Sequence, residues 1–298
     1  MPGVALDPLD IARLESMSVR ARVIVEGAFA GLHQNPHAGS SIEFSEHKEY
    51  APGDDIRRID WKAVGRVDRY YLKRFEDETE MRTFLLLDAS ASMGYGRSGP
   101  TKLAYATYLT AALAYLLAQQ GDPAGLLIFD ADTRQMLPPR TRGGHVRDVL
   151  AALDAVYPAG RTDPARALSY VAELADRRSL ILLFSDLLDA PPELSDRLRQ
   201  LRARGHDVAL FHILDPDEIE LPFDDLTEFE AMEPGDDRRL LVDPRDLAVS
   251  FKKASADLRE RWRRACIEAR VEYQFATTAD RPAEVLRAFL FARQRGRK

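Results

Sequence analysis

The sequence predicts an α/β fold, a doubly wound and mostly parallel sheet, with an α+β module appended at its N-terminal side. Three observations carry this. From residue 83 onward, short apolar runs alternate with stretches of helical periodicity, which is the pattern of parallel strands joined by crossover helices. The runs at 83–87, 124–129, 180–185 and 208–214 are continuously apolar, as strands covered by helices on both faces require. Residues 1–82 lack this alternation and mix one helical stretch with Gly, Pro and charged turns.

Taken in order, 11–29 reads as a helix, 31–41 as a loop, and 42–75 as short strands with a turn at Pro52-Gly53. A first central strand at 83–87 precedes a helix at 101–120. The latter is free of charge from Leu103 to Gln120, but it carries Thr107, Thr110, Gln119 and Gln120. A membrane span needs about 20 mostly apolar residues, so a buried helix is expected. Helices follow at 146–156, 164–175 and 192–204, several entered through Pro or a capping residue, with Gly121 and Gly205 as stops. Residues 226–243 read as a hairpin around Pro234-Gly235. Leu247, Phe251, Ala254, Leu258, Trp262, Cys266 and Ala269 recur every three or four residues, which gives a long helix one apolar face. A strand at 271–277 and a helix from 282 to about 294 close the chain. Two domains are expected, 1–82 and 83–298, the first too short for a large core of its own.

Composition narrows the function classes. A net charge of −6 argues against general nucleic-acid affinity, because phosphate binding needs an excess of Lys and Arg. The N-terminus MPGVALDPLD has no basic segment ahead of an apolar run, so no secretory signal and no membrane span are expected, and a cytoplasmic location is. The lone Cys266 excludes an internal disulfide and a thiolate metal cluster.

The chemistry-bearing residues gather where strands end. The first central strand runs into Asp88-Ala89-Ser90-Ala91-Ser92, a carboxylate and two hydroxyls at alternate positions. Open α/β sheets bind ligands at such ends, and residues i, i+2 and i+4 of an extended chain face one side. Thr162 precedes a helix, and Asp186 ends the run 181–185. Carboxylates and hydroxyls without imidazole or thiolate select hard divalent cations such as magnesium, manganese or calcium. These five residues resemble the metal-ion-dependent adhesion site of von Willebrand factor A domains, which has the form Asp-x-Ser-x-Ser, a loop Thr and a later Asp. The resemblance implies that Asp88, Ser90, Ser92 and Thr162 ligate the ion directly or nearly so and that Asp186 holds a coordinating water. It also implies one open position for a partner's carboxylate. The competing reading is that Asp88 and the serines merely cap a turn.

Other motifs point elsewhere less well. The stretch from Gly94 to Lys102 fails as a phosphate loop because Pro100 and Thr101 separate Gly99 from Lys102. His33 and His37 are four apart, but Pro36 opposes the helix that would pair them on a metal, and His47 adds little. Residues 57–74 hold seven bases with Trp61, Tyr70 and Tyr71, and 215–237 hold eleven acids without Lys or Arg. Pairing of these two stretches, or two solvated faces, is expected ahead of nucleic-acid binding.

A second resemblance rests on Gly31-Leu32-His33, Glu43-Phe44 and the run Tyr50, Ala51, Pro52, Gly53, Asp54, Asp55, Ile56, Arg57, Arg58, Ile59, Asp60, Trp61. This signature resembles the bacterial family catalogued as domain of unknown function fifty-eight, whose members join such a segment to a von Willebrand A-like domain. Lys48 and Gly65 depart from the pattern. Physically the signature is a Pro-Gly turn with acids, bases and a Trp anchor, read as a scaffold by ion pairing and packing ahead of a partner-binding role. The resemblance implies accessory proteins of MoxR-type AAA+ ATPases that assist assembly or maturation of other complexes. The expected function is therefore a metal-dependent protein-binding adaptor and not an enzyme; the alternative is a hydrolase that uses the same ion to activate water.

Overall fold

The computed structural model describes residues 6–30, 48–49, 71–72, 81–232, 235 and 238–296. The chain divides into two compact units, one comprising 1–32 with 81–298 and the other 33–80. In the smaller unit the described residues form two short antiparallel strands, β1 (Lys48–Glu49) and β2 (Tyr71–Leu72). Glu43, Tyr50, Pro52, Gly53, Asp54, Asp55, Arg57, Asp60 and Trp61 lie outside the described residues, as do His33, His37 and His47.

The larger unit is built on a six-stranded sheet. Its strands are β3 (Arg82–Asp88), β4 (Ala124–Phe129), β5 (Thr133–Arg140), β6 (Ser179–Ser185), β7 (Asp207–Leu214) and, after a separate hairpin of β8 (Thr227–Glu230) and β9 (Arg239–Val242), β10 (Glu272–Thr277). They run in the order β10-β7-β6-β3-β4-β5, parallel except for β5. The expected α/β class and mostly parallel sheet are thus present. The edge strand β5 departs from the sequence reading, which left 133–140 without structure. Pro138 and Pro139 cannot donate ladder hydrogen bonds and suppress the strand signal, yet Pro is tolerated on an edge.

Alternation along the central strands explains the two layers. Leu85, Leu87, Leu126, Ile128, Leu182 and Phe184 point into one core, while Phe84, Leu86, Leu127, Phe129, Ile181 and Leu183 point into the other. The first core is closed by α1 (Pro8–Ala12), α2 (Met17–Ala30), α3 (Lys102–Gln120), α4 (His145–Asp154) and α9 (Pro282–Gly296). Ile11, Met17, Ala21 and Ile24 are buried in it, so the helical start of the chain lies with the larger unit. The second core is closed by α5 (Pro164–Leu174), α6 (Glu193–Ala203) and α8 (Pro244–Ala269), with a short α7 (Asp217–Glu220) before the hairpin.

The charge-free stretch expected as a buried helix is α3. Its Thr107 and Thr110 hydroxyls donate to Leu103 O and Ala106 O, which pairs both in spite of their burial. Thr101 caps its start by accepting from Ala104 N, and Gly121 ends it at φ 78°. Among the described residues no helix is long and apolar enough to cross a membrane. Cys266 lies buried on α8, as expected, and burial pushes its thiol up to about 12.

Candidate metal centre

The sheet order fixes where a ligand can sit. From β3 the chain moves to β4 and β5 on one side, then returns to place β6 on the other, so the topological switch lies between the carboxyl ends of β3 and β6. Asp88 is the last residue of β3 and Asp186 follows the last residue of β6. Neighbouring parallel strands therefore deliver both carboxylates to one place. Both are fully buried, and the charge of Asp186 acts on Asp88.

Asp88 is held by donors with no charge. Its Oδ2 accepts from Thr162 Oγ1 and from Ser185 Oγ, each at 2.7 Å, and its Oδ1 accepts from the Ser90 N–H at 3.0 Å. Among the described residues no cation pairs with it. Burial, and then the nearby Asp186 charge, raises its carboxyl to about 6 against the pull of those three hydrogen bonds. Ser90 Oγ and Ser92 Oγ lie 3.3 Å apart, and Ser92 also hydrogen-bonds the Asp186 carboxylate. Asp88, Ser90, Ser92, Thr162 and Asp186 therefore form one connected cluster. Ser90 is buried, whereas Ser92 and Thr162 are half-buried and form its opening.

Backbone contacts hold the three contributing loops in register. Ala91 N donates to Gly160 O and Ala159 N donates to Ala89 O, both at 2.9 Å, which ties the Asp-x-Ser-x-Ser turn to the Thr162 loop. That loop needs glycine at 160. Its φ is 77°, and a Cβ there would meet Asp130 Oδ2 at 2.8 Å. Beyond Asp186 the chain turns through Leu187, a buried residue at φ 56°, a strained backbone state of the kind that clusters at functional sites. The turn lets Leu187 N donate to Ser185 Oγ and Leu188 N donate to Asp186 Oδ1.

Two charged residues enter the cluster without having been expected there. Lys102, at the start of α3, is completely buried, and its Nζ donates to Asp186 Oδ2 at 2.6 Å and to Glu218 Oε1 at 2.5 Å. Glu218, on α7, uses its other oxygen to accept from Asp215 N at 2.8 Å. The ammonium holds the Asp186 carboxyl below its usual range despite burial. The loop ahead of Lys102 is thus no phosphate cradle, as its spacing implied; its lysine turns inward to carboxylates. A lone cation opening an otherwise charge-free helix was the available signal for Lys102, while nothing local marked Glu218. Ser185 was visible only as the polar last residue of an apolar run.

The donor set suits a hard divalent cation. Asp186 and Glu218 share the Lys102 ammonium and Asp88 has no cation against it among the described residues, which leaves an excess of buried negative charge. Such buried charge calls for a counter-ion, and hydroxyl and carboxylate oxygens are the ligands that magnesium and its relatives take. Among the described residues no group of three or more His, Cys, Asp and Glu side chains is placed to hold a metal, so an ion at this place would rest on hydroxyl oxygens together with the carboxylates of Asp88 and Asp186.

Among the described residues, the side chains nearest the carboxylates are poorly placed to act as a general base. His212 is buried next to the Ser185 position of β6, its Nδ1 lies 2.8 Å from Tyr273 OH, and burial lowers it to about 4. Both Glu218 oxygens are committed to Lys102 and the Asp215 backbone.

Comparison with known proteins places this geometry in context. Residues 46–261 match the family described as Protein of unknown function DUF58. An uncharacterized protein of Mycobacterium tuberculosis is 30% identical over 253 residues, covering 84% of this chain and 79% of its own. Among solved structures, an aerotolerance-related membrane protein from Bacteroides fragilis carrying multiple mutations to serines superposes with a TM-score of 0.50 at 15% identity, over 71% of this chain and 97% of that one. The VWA domain of SpRpn10 gives a TM-score of 0.42 at 12% identity, over 69% and 93% of the two chains. The likeness to the Bacteroides fragilis protein is one of fold.

Proposed function

The chain belongs to the family described as Protein of unknown function DUF58, and from that footing we propose that it is a metal-dependent protein-binding adaptor. Asp88, Ser90, Ser92 and Thr162 would hold a divalent cation, magnesium ahead of manganese or calcium, with Asp186 acting through water. Such an ion supplies a positive centre whose remaining ligand position accepts a partner's carboxylate. The observation that carries the reading is Asp88, a wholly buried carboxylate that gathers three neutral donors and no cation among the described residues.

The residues of the chain divide the work. Thr162 and Ser185 orient Asp88 through its Oδ2. Lys102 fixes Asp186 and keeps it ionised. Ser92 and Thr162 form the half-exposed opening at which a foreign acid would arrive. The commitment of both Glu218 oxygens to internal partners and the complete burial of His212 away from water favour docking over the hydrolase alternative. The partner class drawn from the sequence resemblance is a MoxR-type AAA+ ATPase, with assembly or maturation of other complexes as the task.

The test is titration calorimetry of the purified chain with magnesium chloride, followed by capture of the MoxR-type ATPase of the same organism in magnesium or in EDTA. Wild type is expected to bind the ion and to hold the ATPase only in magnesium, and Asp88→Ala to do neither. Equal capture by both proteins in EDTA would remove the mechanism.

A further inference from the structure

Beside the metal cluster lies a cleft that the adaptor reading does not use. It has a volume of about 470 Å³, within the range of pockets that accept large side chains or small molecules. Its walls are apolar, with Leu214, Leu221, Phe229 and Phe251 prominent, and Ser92 lines one end, so it is continuous with the opening of the cluster. Met232 and Leu188, also in the wall, are 46% and 39% exposed, an apolar surface left open to solvent.

A polar group within this apolar wall lacks a partner. The Ser255 hydroxyl is buried and makes no hydrogen bond, although such groups are ordinarily paired. A peptide N–H or C=O entering the cleft would satisfy it. The charge of the rim is one-sided. Asp189, Asp217, Glu218, Glu230 and Arg238 line the cleft; Asp217, Glu218 and Glu230 pair with Arg97, Lys102 and Arg239, so Asp189 is the lining acid without an ion pair among the described residues. Asp189 is exposed, as are Asp224 and Asp225 directly after Phe223, and none of the three has an ion pair among the described residues. The whole stretch 215–237 carries eleven acids and no Lys or Arg.

We propose that this cleft docks a basic, apolar-anchored peptide segment of a partner protein. One large aliphatic or aromatic side chain of the segment fills the pocket, its backbone meets Ser255, and its Lys or Arg side chains lie against Asp189, Asp224 and Asp225. Apolar burial supplies the anchor and the rim supplies selection by sign, which is the division of labour seen where an anchor sits in a pocket inside a polar border. The site stands without the metal; where both are occupied, Ser92 is common to the two contacts.

The test uses the full chain as bait for a displayed library of random dodecapeptides, selected once in magnesium and once in EDTA. Enriched sequences are expected to share a large apolar residue flanked by an excess of Lys and Arg in both conditions. Synthesised and followed by fluorescence anisotropy, they should lose at least about tenfold in affinity for Ala254→Trp, which fills the cleft from an exposed position on α8. They should lose a similar factor for the combined variant Asp189→Lys, Asp224→Lys, Asp225→Lys, while wild type binds them equally in magnesium and in EDTA. Failure of any sequence to enrich, enrichment without that composition, or unchanged binding to Ala254→Trp would each overturn the proposal. Loss of magnesium binding by the wild type would sink the metal reading alone and leave this one standing.

Discussion

Replacing Lys102 by Met isolates the role of the buried ammonium. The Met side chain keeps an unbranched stem of similar reach, and helix propensities of the two residues are close, so packing and local helix stability change little. What changes is charge. Lys102 and Asp186 are both fully buried, and the Glu218 side chain is only 16% exposed, so two carboxylates lose their counter-charge with little access to water. Removing one partner of a buried pair costs about 3–5 kcal/mol, because the remaining charge is stranded. Urea unfolding followed by circular dichroism, at pH 7 in EDTA, should show that loss. The companion variant Lys102→Met, Asp186→Asn, Glu218→Gln should recover most of it, since neutral amides carry no stranded charge. Magnesium should stabilise Lys102→Met more than wild type, because all three carboxylates are then without an internal cation. If Lys102→Met unfolds within about 1 kcal/mol of wild type, the ion pairs behave as exposed ones do, and the charge balance drawn for the cluster is wrong.

Further outcomes follow from the same geometry. Wild type at a magnesium concentration one hundred times the dissociation constant should gain about 2.7 kcal/mol of unfolding free energy, and Asp88→Asn none; equal gains would show that the ion binds elsewhere. His212 carries a pH dependence. Burial lowers it to about 4 from an ordinary value of 6.5, so between these values the unfolded chain takes up a proton that the folded chain refuses. The associated stability is complete above pH 6.5 and is lost as pH falls toward 4, by about 3 kcal/mol in all. His212→Gln should flatten the urea midpoint across that window, and an unchanged slope would refute the assignment. Gly160→Ala places a Cβ against Asp130 at a positive φ and should lower stability by about 1–2 kcal/mol. Because Thr162 moves with this loop, the same variant should bind magnesium more weakly in calorimetry; unaltered binding would mean the loop tolerates displacement.

Central strands and long helices were legible because each is encoded locally. The runs ending at Leu87, Phe129, Ser185 and Leu214 stop within one residue of β3, β4, β6 and β7, since a strand buried on both faces is built mostly of apolar residues. Strand β5 escaped because its burial alternates and two prolines interrupt it. Helix α2 was recognised as a helix and read as part of an N-terminal module, whereas it packs within the larger unit. Its apolar residues say that something covers them, whereas only the fold says that α3 and α9 do.

The site divides in the same way. Asp88, Ser90 and Ser92 share one turn, so their convergence could be read from spacing alone, and Asp186 could be placed once the strand before it was recognised. Lys102 could not. Eighty-four residues separate it from Asp186 and 116 from Glu218, and its local setting, a glycine-rich loop opening a helix, suggests an exposed cation awaiting an anion. The anions it meets are carried in by other strands. Its inward turn is decided by the sheet order, which sets β6 beside β3 and brings the acidic end of β7 to the same rim. A buried lysine at this place makes the site a partly neutralised one, in which Asp186 and Glu218 share the ammonium while Asp88 is left with neutral donors and no cation among the described residues.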